Sequence, residues 1–329
     1  MHCRLEQRAA QRRVLASGAL TGLLACALAP ALACAEPLAY VSNEWADEVT
    51  VIDVAKGAVV SSIPVGKRPR GIALASDART LYVALGGEHS IALVDVPSMK
   101  VTAKIPAGSD PEMFALSPDG SKLYASNEDA GTLSSIDLAR RAVVGSVAVG
   151  EEPEGVAVSP DGKLIYVMSE STHTVAVVEA ASLKKSATIA VEKRPREAAF
   201  LPDGSRAYVS AEIGGAVSVV DVKRSRVVDT IRIEGARPKG VIVTRDGKRV
   251  YVSTGRGDTV VVIDAATNKV LAQIPVPGRP WGLALTRDER QLLAACGLAA
   301  NVAVIDTEKL RVAATVPAAK GAWGVAVGP

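Results

Sequence analysis

Seven residues able to do chemistry recur at intervals of 42 or 43 positions: Arg70, Glu112, Glu154, Arg196, Lys239, Trp281 and Trp323. Each follows a proline except Trp323, which follows Ala322. Three cations, two anions and two indoles at one register suit recognition better than nucleophilic attack. A guanidinium pairs bidentately with a carboxylate, and an indole offers a stacking face. The register predicts a wall of Trp281 and Trp323 flanked by Lys239 and Arg70, an arc suited to a flat polycarboxylate. In the rival reading the charges satisfy one another in salt bridges and the two tryptophans plug the space between them.

One place before the proline register stand Arg68, Asp110, Glu152, Arg194, Arg237, Arg279 and Gly321. A further register holds Glu44, Glu128, Glu170 and Glu212, with Gly86, Gly255 and Gly297 in the remaining repeats. Four carboxylates, with Asn43 and Asn127 assisting, are the ligand types a Ca²⁺ ion takes. The arginines among them compete for the same oxygens.

Other chemistries find few residues. Beyond residue 35 the only histidines are His89 and His173, and the only cysteine is Cys296. No C-x-x-C-H segment offers covalent haem attachment, and no cysteine pair offers a zinc site. His173 precedes a strand with no serine or cysteine partner assigned, and Cys296 sits at a strand end where a small buried thiol is expected.

The elements that position these residues repeat. All six tyrosines, Tyr40, Tyr82, Tyr124, Tyr166, Tyr208 and Tyr251, fall on the same 42- to 43-residue lattice, and the next step lands on Leu293. A second lattice runs through Asp53, Asp95, Asp137, Glu179, Asp221, Asp264 and Asp306, each expected to cap a turn by accepting backbone N–H groups. Each period reads as four short Val/Ile/Ala strands with Ser-Pro-Asp-Gly turns. Such a unit cannot bury both faces alone, so the units must stack radially. The expected fold is all-β: a seven-bladed β-propeller of four-stranded antiparallel blades. Three strands at the start (38–65) and one at the end (323–327) complete a shared blade that closes the ring.

Residues 1–35 read as a signal peptide. Arg4, Arg8, Arg12 and Arg13 precede an uncharged run from Val14 to Pro30, and Ala33-Cys34-Ala35 fits the small-residue cleavage pattern. Arg12-Arg13 is a partial twin-arginine signal. Export to the periplasm is the expectation, with residues 36–329 forming the propeller and no membrane span left after cleavage. Without the leader, 34 basic and 34 acidic residues balance. No block of like charge remains to grip phosphates, which argues against nucleic acid.

Tyr40-Val-Ser-Asn, the Ser-Pro-Asp-Gly turns and Val-Ile-Asp resemble the YVTN-repeat propellers. Gly66-Lys-Arg-Pro-Arg-Gly, Asp110-Pro-Glu-Met-Phe-Ala-Leu, Ser126-Asn-Glu-Asp, Glu152-Pro-Glu-Gly and Ser210-Ala-Glu-Ile-Gly-Gly narrow the resemblance. Together they are similar to the PQQ-dependent catabolism-associated β-propeller proteins. That resemblance implies an exported seven-repeat propeller set beside pyrroloquinoline-quinone-dependent alcohol oxidation, and the first expectation is a non-enzymatic periplasmic propeller that binds a small molecule or a protein partner there. Its expected partners are a PQQ-dependent alcohol dehydrogenase or components of an ABC-type transport system. Pyrroloquinoline quinone is itself a flat polycarboxylate. Two alternatives stand: a metal-assisted hydrolase of propeller-lactonase type, and a pure protein-interaction scaffold.

Overall fold

Alternating small and branched apolar residues favour pleated strands that are buried on both faces. The computed structural model describes residues 37–328, and the leader reading falls outside them. Twenty-eight strands among the described residues form seven four-stranded antiparallel sheets. The seven-bladed propeller is therefore the fold. Two single 3₁₀ turns, Gly86–Glu88 and Gly255–Gly257, are the only helical structure among the described residues, so no described helix is long and apolar enough to cross a membrane.

Blade one closes the ring as expected. Its inner strand Ala322–Val327 pairs antiparallel with Leu38–Asn43, followed outward by Glu48–Asp53 and Ala58–Pro64. Blades two to seven follow in chain order, with inner strands Pro69–Leu74, Pro111–Leu116, Pro153–Val158, Pro195–Phe200, Val241–Val243 and Pro280–Leu285.

The core lies between blades. Tyr40, Val49 and Val51 of blade one pack with Leu81, Val83 and Ala92 of blade two. On the other side Ala39, Val41 and Val325 pack with Leu293, Val302 and Val304 of blade seven. All six lattice tyrosines are buried in this way. Burying one such side chain contributes about 1.5–3 kcal/mol, so each blade is stable only against its neighbours.

The lattice aspartates cap their turns. Asp53, Asp95, Asp137, Asp221, Asp264 and Asp306 each accept a backbone N–H three residues on, at 2.8–2.9 Å. Every third-to-outer strand pair carries a bulge at the same register. A bulge bends an exposed edge away from further pairing, which protects seven outer strands from edge-to-edge association.

Candidate functional site

The loops preceding the inner strands and those joining second to third strands meet on one face, and the seven register residues converge at its hub. The inner strands crowd there. A Cβ on Gly324 would stand 2.8 Å from the Arg70 carbonyl oxygen, and one on Gly282 would stand 2.6 Å from that of Trp323. Ser42 Oγ ties this junction by donating to the Arg70 carbonyl at 2.6 Å. Blades one and two are thus neighbours, and the terminal strand brings Trp323 into the hub.

The charges at the hub pair with one another in two groups. Arg70 donates to Glu44 Oε1 through Nε at 2.8 Å, with Nη2 at 2.7 Å. It also meets Glu112 and lies 3.6 Å from Glu128. Arg68 Nη1 holds Asp110 at 3.0 Å beside it. In the second group Arg196 Nη2 lies 2.5 Å from Glu154 Oε1, contacts Glu170, and lies 3.6 Å from Glu212. Arg194 Nε adds a contact of 2.5 Å to Glu170. The four loop glutamates therefore divide between two arginines, Glu44 and Glu128 on Arg70, Glu170 and Glu212 on Arg196. Glu112, Glu154, Arg196 and Lys239 are all buried.

Lys239 bridges this ionic cluster to the indoles. Its Nζ lies 3.5 Å from Glu154 Oε2, across blade five. It also sits 3.7 Å from the Trp281 ring centroid and 4.6 Å from that of Trp323. The two indoles meet edge to face at 5.5 Å and 71°, and Arg279 covers Trp281 at 4.5 Å. The expected stacking wall is instead a T-shaped pair wrapped around an ammonium, a cation–π arrangement. The space among Glu44, Trp45, Arg279, Trp281, Leu298 and Trp323 is about 10 Å³. That is about the room one water needs.

One hub residue escaped the sequence reading. Five blades follow the ring residue with glycine, at Gly71, Gly155, Gly240, Gly282 and Gly324, while blades three and five carry Met113 and Glu197. The strand facing Glu197 is the shortened Val241–Val243, and the Val241 N–H donates to Glu197 Oε2 at 3.4 Å. Burial pushes the Glu197 carboxyl up to about 7, partly opposed by Lys239. Burial, then Arg196, lowers the Lys239 amine to about 7, with Glu154 and Glu197 opposing. Burial also pushes Glu154 upward, but Arg196 and Lys239 outweigh it and hold that carboxyl low. The signal in the sequence was the departure from glycine.

The remaining candidates are structural. His89 Nδ1 accepts the Asp110 N–H at 3.0 Å, and His173 Nδ1 contacts the Glu170 carbonyl at 2.7 Å. Cys296 is buried, and burial pushes its thiol up to about 12.

Neither cofactor expectation fits the residues at the hub. Asp110, Glu112 and Glu128 place carboxylate oxygens within 4.8 Å of one another, a spacing a divalent cation uses. Arg68 and Arg70 already neutralise those oxygens. A quinone polycarboxylate would need the arginine faces and the inter-indole space that the glutamates and Lys239 fill.

A YNCE-like β-propeller family matches residues 72–206, and a lactonase family of seven-bladed β-propellers matches residues 179–312. Among solved structures, Kuenenia stuttgartiensis hydrazine synthase is similar at 25% identity with a TM-score of 0.73. That match covers 78% of this chain and 89% of that one. A functionally unknown protein from Desulfotomaculum acetoxidans DSM 771 is similar at 18% identity with a TM-score of 0.78, covering 88% of this chain and 98% of that one; it supports the fold alone. No curated protein matches significantly.

Proposed function

We propose that this β-propeller is an exported, non-catalytic binding module that serves pyrroloquinoline-quinone-dependent alcohol oxidation. Its partner in this reading is a PQQ-dependent alcohol dehydrogenase or a component of the associated transport system. The observation that carries it is the self-paired hub. Arg70 and Arg196 are bound by glutamates, Lys239 is boxed by indoles, and the space beside those indoles, bounded by Glu44, Trp45 and Arg279, is about 10 Å³. Small-molecule sites usually enclose about 300–1,000 Å³. The hub therefore acts as a rigid plug, and recognition is left to the outward-facing loops, where Trp45 and Leu298 are 57% and 63% exposed.

The lactonase-type hydrolase is the second reading, favoured by the family match over residues 179–312 and by the Asp110, Glu112 and Glu128 cluster. That cluster lies outside the matched segment, and its oxygens face arginine.

Two assays separate the readings. In cells growing on an alcohol, reversible cross-linking of the tagged protein should enrich the dehydrogenase or a transport component over an abundance-matched control. In vitro, lactones should not turn over with or without Ca²⁺. Ca²⁺-dependent hydrolysis abolished by Glu112→Gln would overturn the binding reading.

A further inference from the structure

The loop face is ion-paired in one sector and unpaired in another. Arg68, Arg70, Arg194 and Arg196 each hold a carboxylate. Among the described residues Arg237, Arg256 and Arg279 form no ion pair. The cause is visible in the loops. Blades six and seven carry Gly255 and Gly297 where blades one, three, four and five carry glutamate. Glu44 and Glu212, the loop carboxylates that act on Arg279, are already held by Arg70 and Arg196. Asp258 Oδ1 accepts the Arg279 backbone N–H at 2.7 Å, a contact with the loop and not with the guanidinium. Arg237 and Arg256 are exposed, and Arg279 lies over Trp281. Beside them Trp45 of blade one and Leu298 of blade seven are the two most exposed large apolar side chains among the described residues.

Resting on the binding reading above, we infer that the loops of blades six, seven and one form a docking surface for an acidic segment of a partner protein that carries an apolar anchor. Three unpaired guanidiniums supply charge complementarity, which steers encounter and sets specificity. Tryptophan and arginine are the residue types that dominate binding energy at protein interfaces. The space between Trp45, Leu298, Arg279 and the two hub indoles is only about 10 Å³. A protein segment laid across this surface can bury Trp45 and Leu298, whereas a small molecule would stay largely in water.

The probe is a fluorescein-labelled peptide of alternating aspartate and leucine, read by anisotropy against a lysine-for-aspartate control. The acidic peptide should bind at low salt, weaken as salt rises, and outcompete the control. Combining Arg237→Ala, Arg256→Ala and Arg279→Ala should weaken it about tenfold. Trp45→Ser with Leu298→Ser should weaken it with little change in its salt dependence. These side chains are exposed or at the rim, so an unchanged melting temperature checks that each variant folds. Absence of binding at low salt, or equal binding by the triple variant, overturns the inference. So does displacement of the peptide by benzene-1,3,5-tricarboxylate at comparable concentration, which would indicate a small-anion site. Self-association that the triple variant abolishes would identify a second copy as the occupant and overturn it likewise. If the peptide fails while cross-linking still captures the dehydrogenase or transport component, the surface is wrong and the binding reading stands.

Discussion

Glu154→Gln removes the anion that Lys239 and Arg196 share, and the structure fixes how its cost should vary with pH. Stripping one partner from a buried ion pair costs about 3–5 kcal/mol when the other charge is stranded. Arg196 is not stranded, because Glu170 and Glu212 remain on it. Lys239 keeps only the two indole faces and Glu197, so the penalty falls mainly on the amine. That amine titrates near 7 in the native protein. Its depressed value means that native stability is lost as pH falls from the unfolded value of 10.5 to about 7, where the unfolded chain holds the proton and the native amine does not. With Glu154 the native amine regains its proton near pH 7, which limits the loss. Without Glu154 its midpoint drops further, and native stability keeps falling by about 1.4 kcal/mol per pH unit. The Glu154→Gln penalty should therefore be about 1 kcal/mol larger at pH 6 than at pH 8. In a Lys239→Met background, where a polarizable thioether fills the indole box, the pH dependence should vanish and the penalty should shrink. Urea unfolding at both pH values, for the four proteins of the cycle, measures this. Equal penalties at the two pH values, or an unchanged penalty beside Met, would refute the placement of Lys239.

Glu197→Gln should stabilise the protein increasingly as pH rises from about 4.5 to 8. The native carboxyl is raised to about 7, so its stabilising contribution is present below the unfolded value and lost as pH rises through 7. The gain is bounded by about 3 kcal/mol and read by the same unfolding assay; no gain at pH 8 would place Glu197 in water. Gly282→Ala puts a methyl 2.6 Å from the Trp323 carbonyl oxygen and should destabilise by about 1–3 kcal/mol in thermal unfolding, an effect absent if adjacent inner strands do not touch. Cys296 should resist thiol reagents in the native state and react in urea, since it is buried with its thiol pushed up to about 12; prompt native labelling would contradict the packing of blade seven.

The lattice of Tyr40 to Tyr251 made the blades legible in the sequence, because each blade needs one large apolar side chain at one place between sheets. The terminal Trp323-Gly-Val-Ala-Val was legible as an inner strand because its second, third and outer partners begin the described chain. Register also assembled the hub residues correctly, but it carries no information about side-chain direction. Register therefore left Arg70 open both as a ligand clamp and as a salt-bridge partner, and the structure decides for the latter, with glutamates of the adjacent blades on it. The edge-to-face meeting of Trp281 and Trp323 was hidden for the same reason. Glu197 was not singled out because the position after the ring residue was not compared between blades, although the glycines there, Gly155 and Gly240 among them, mark close approaches of two backbones. The glycines at 255 and 297 showed that blades six and seven lack a loop glutamate, but not that Arg237 and Arg279 go unpaired, since blade two carries Gly86 and its Arg68 and Arg70 are paired by adjacent blades.

Trp323 reports directly on whether the hub is closed. It is 2% exposed, and in a Trp45→Phe, Trp281→Phe variant it is the sole indole. Acrylamide quenching of that variant should be several-fold weaker than for tryptophan in solution, with blue-shifted emission that survives high salt. Quenching close to that of free tryptophan would mean an open, hydrated hub, and the self-paired plug would be wrong.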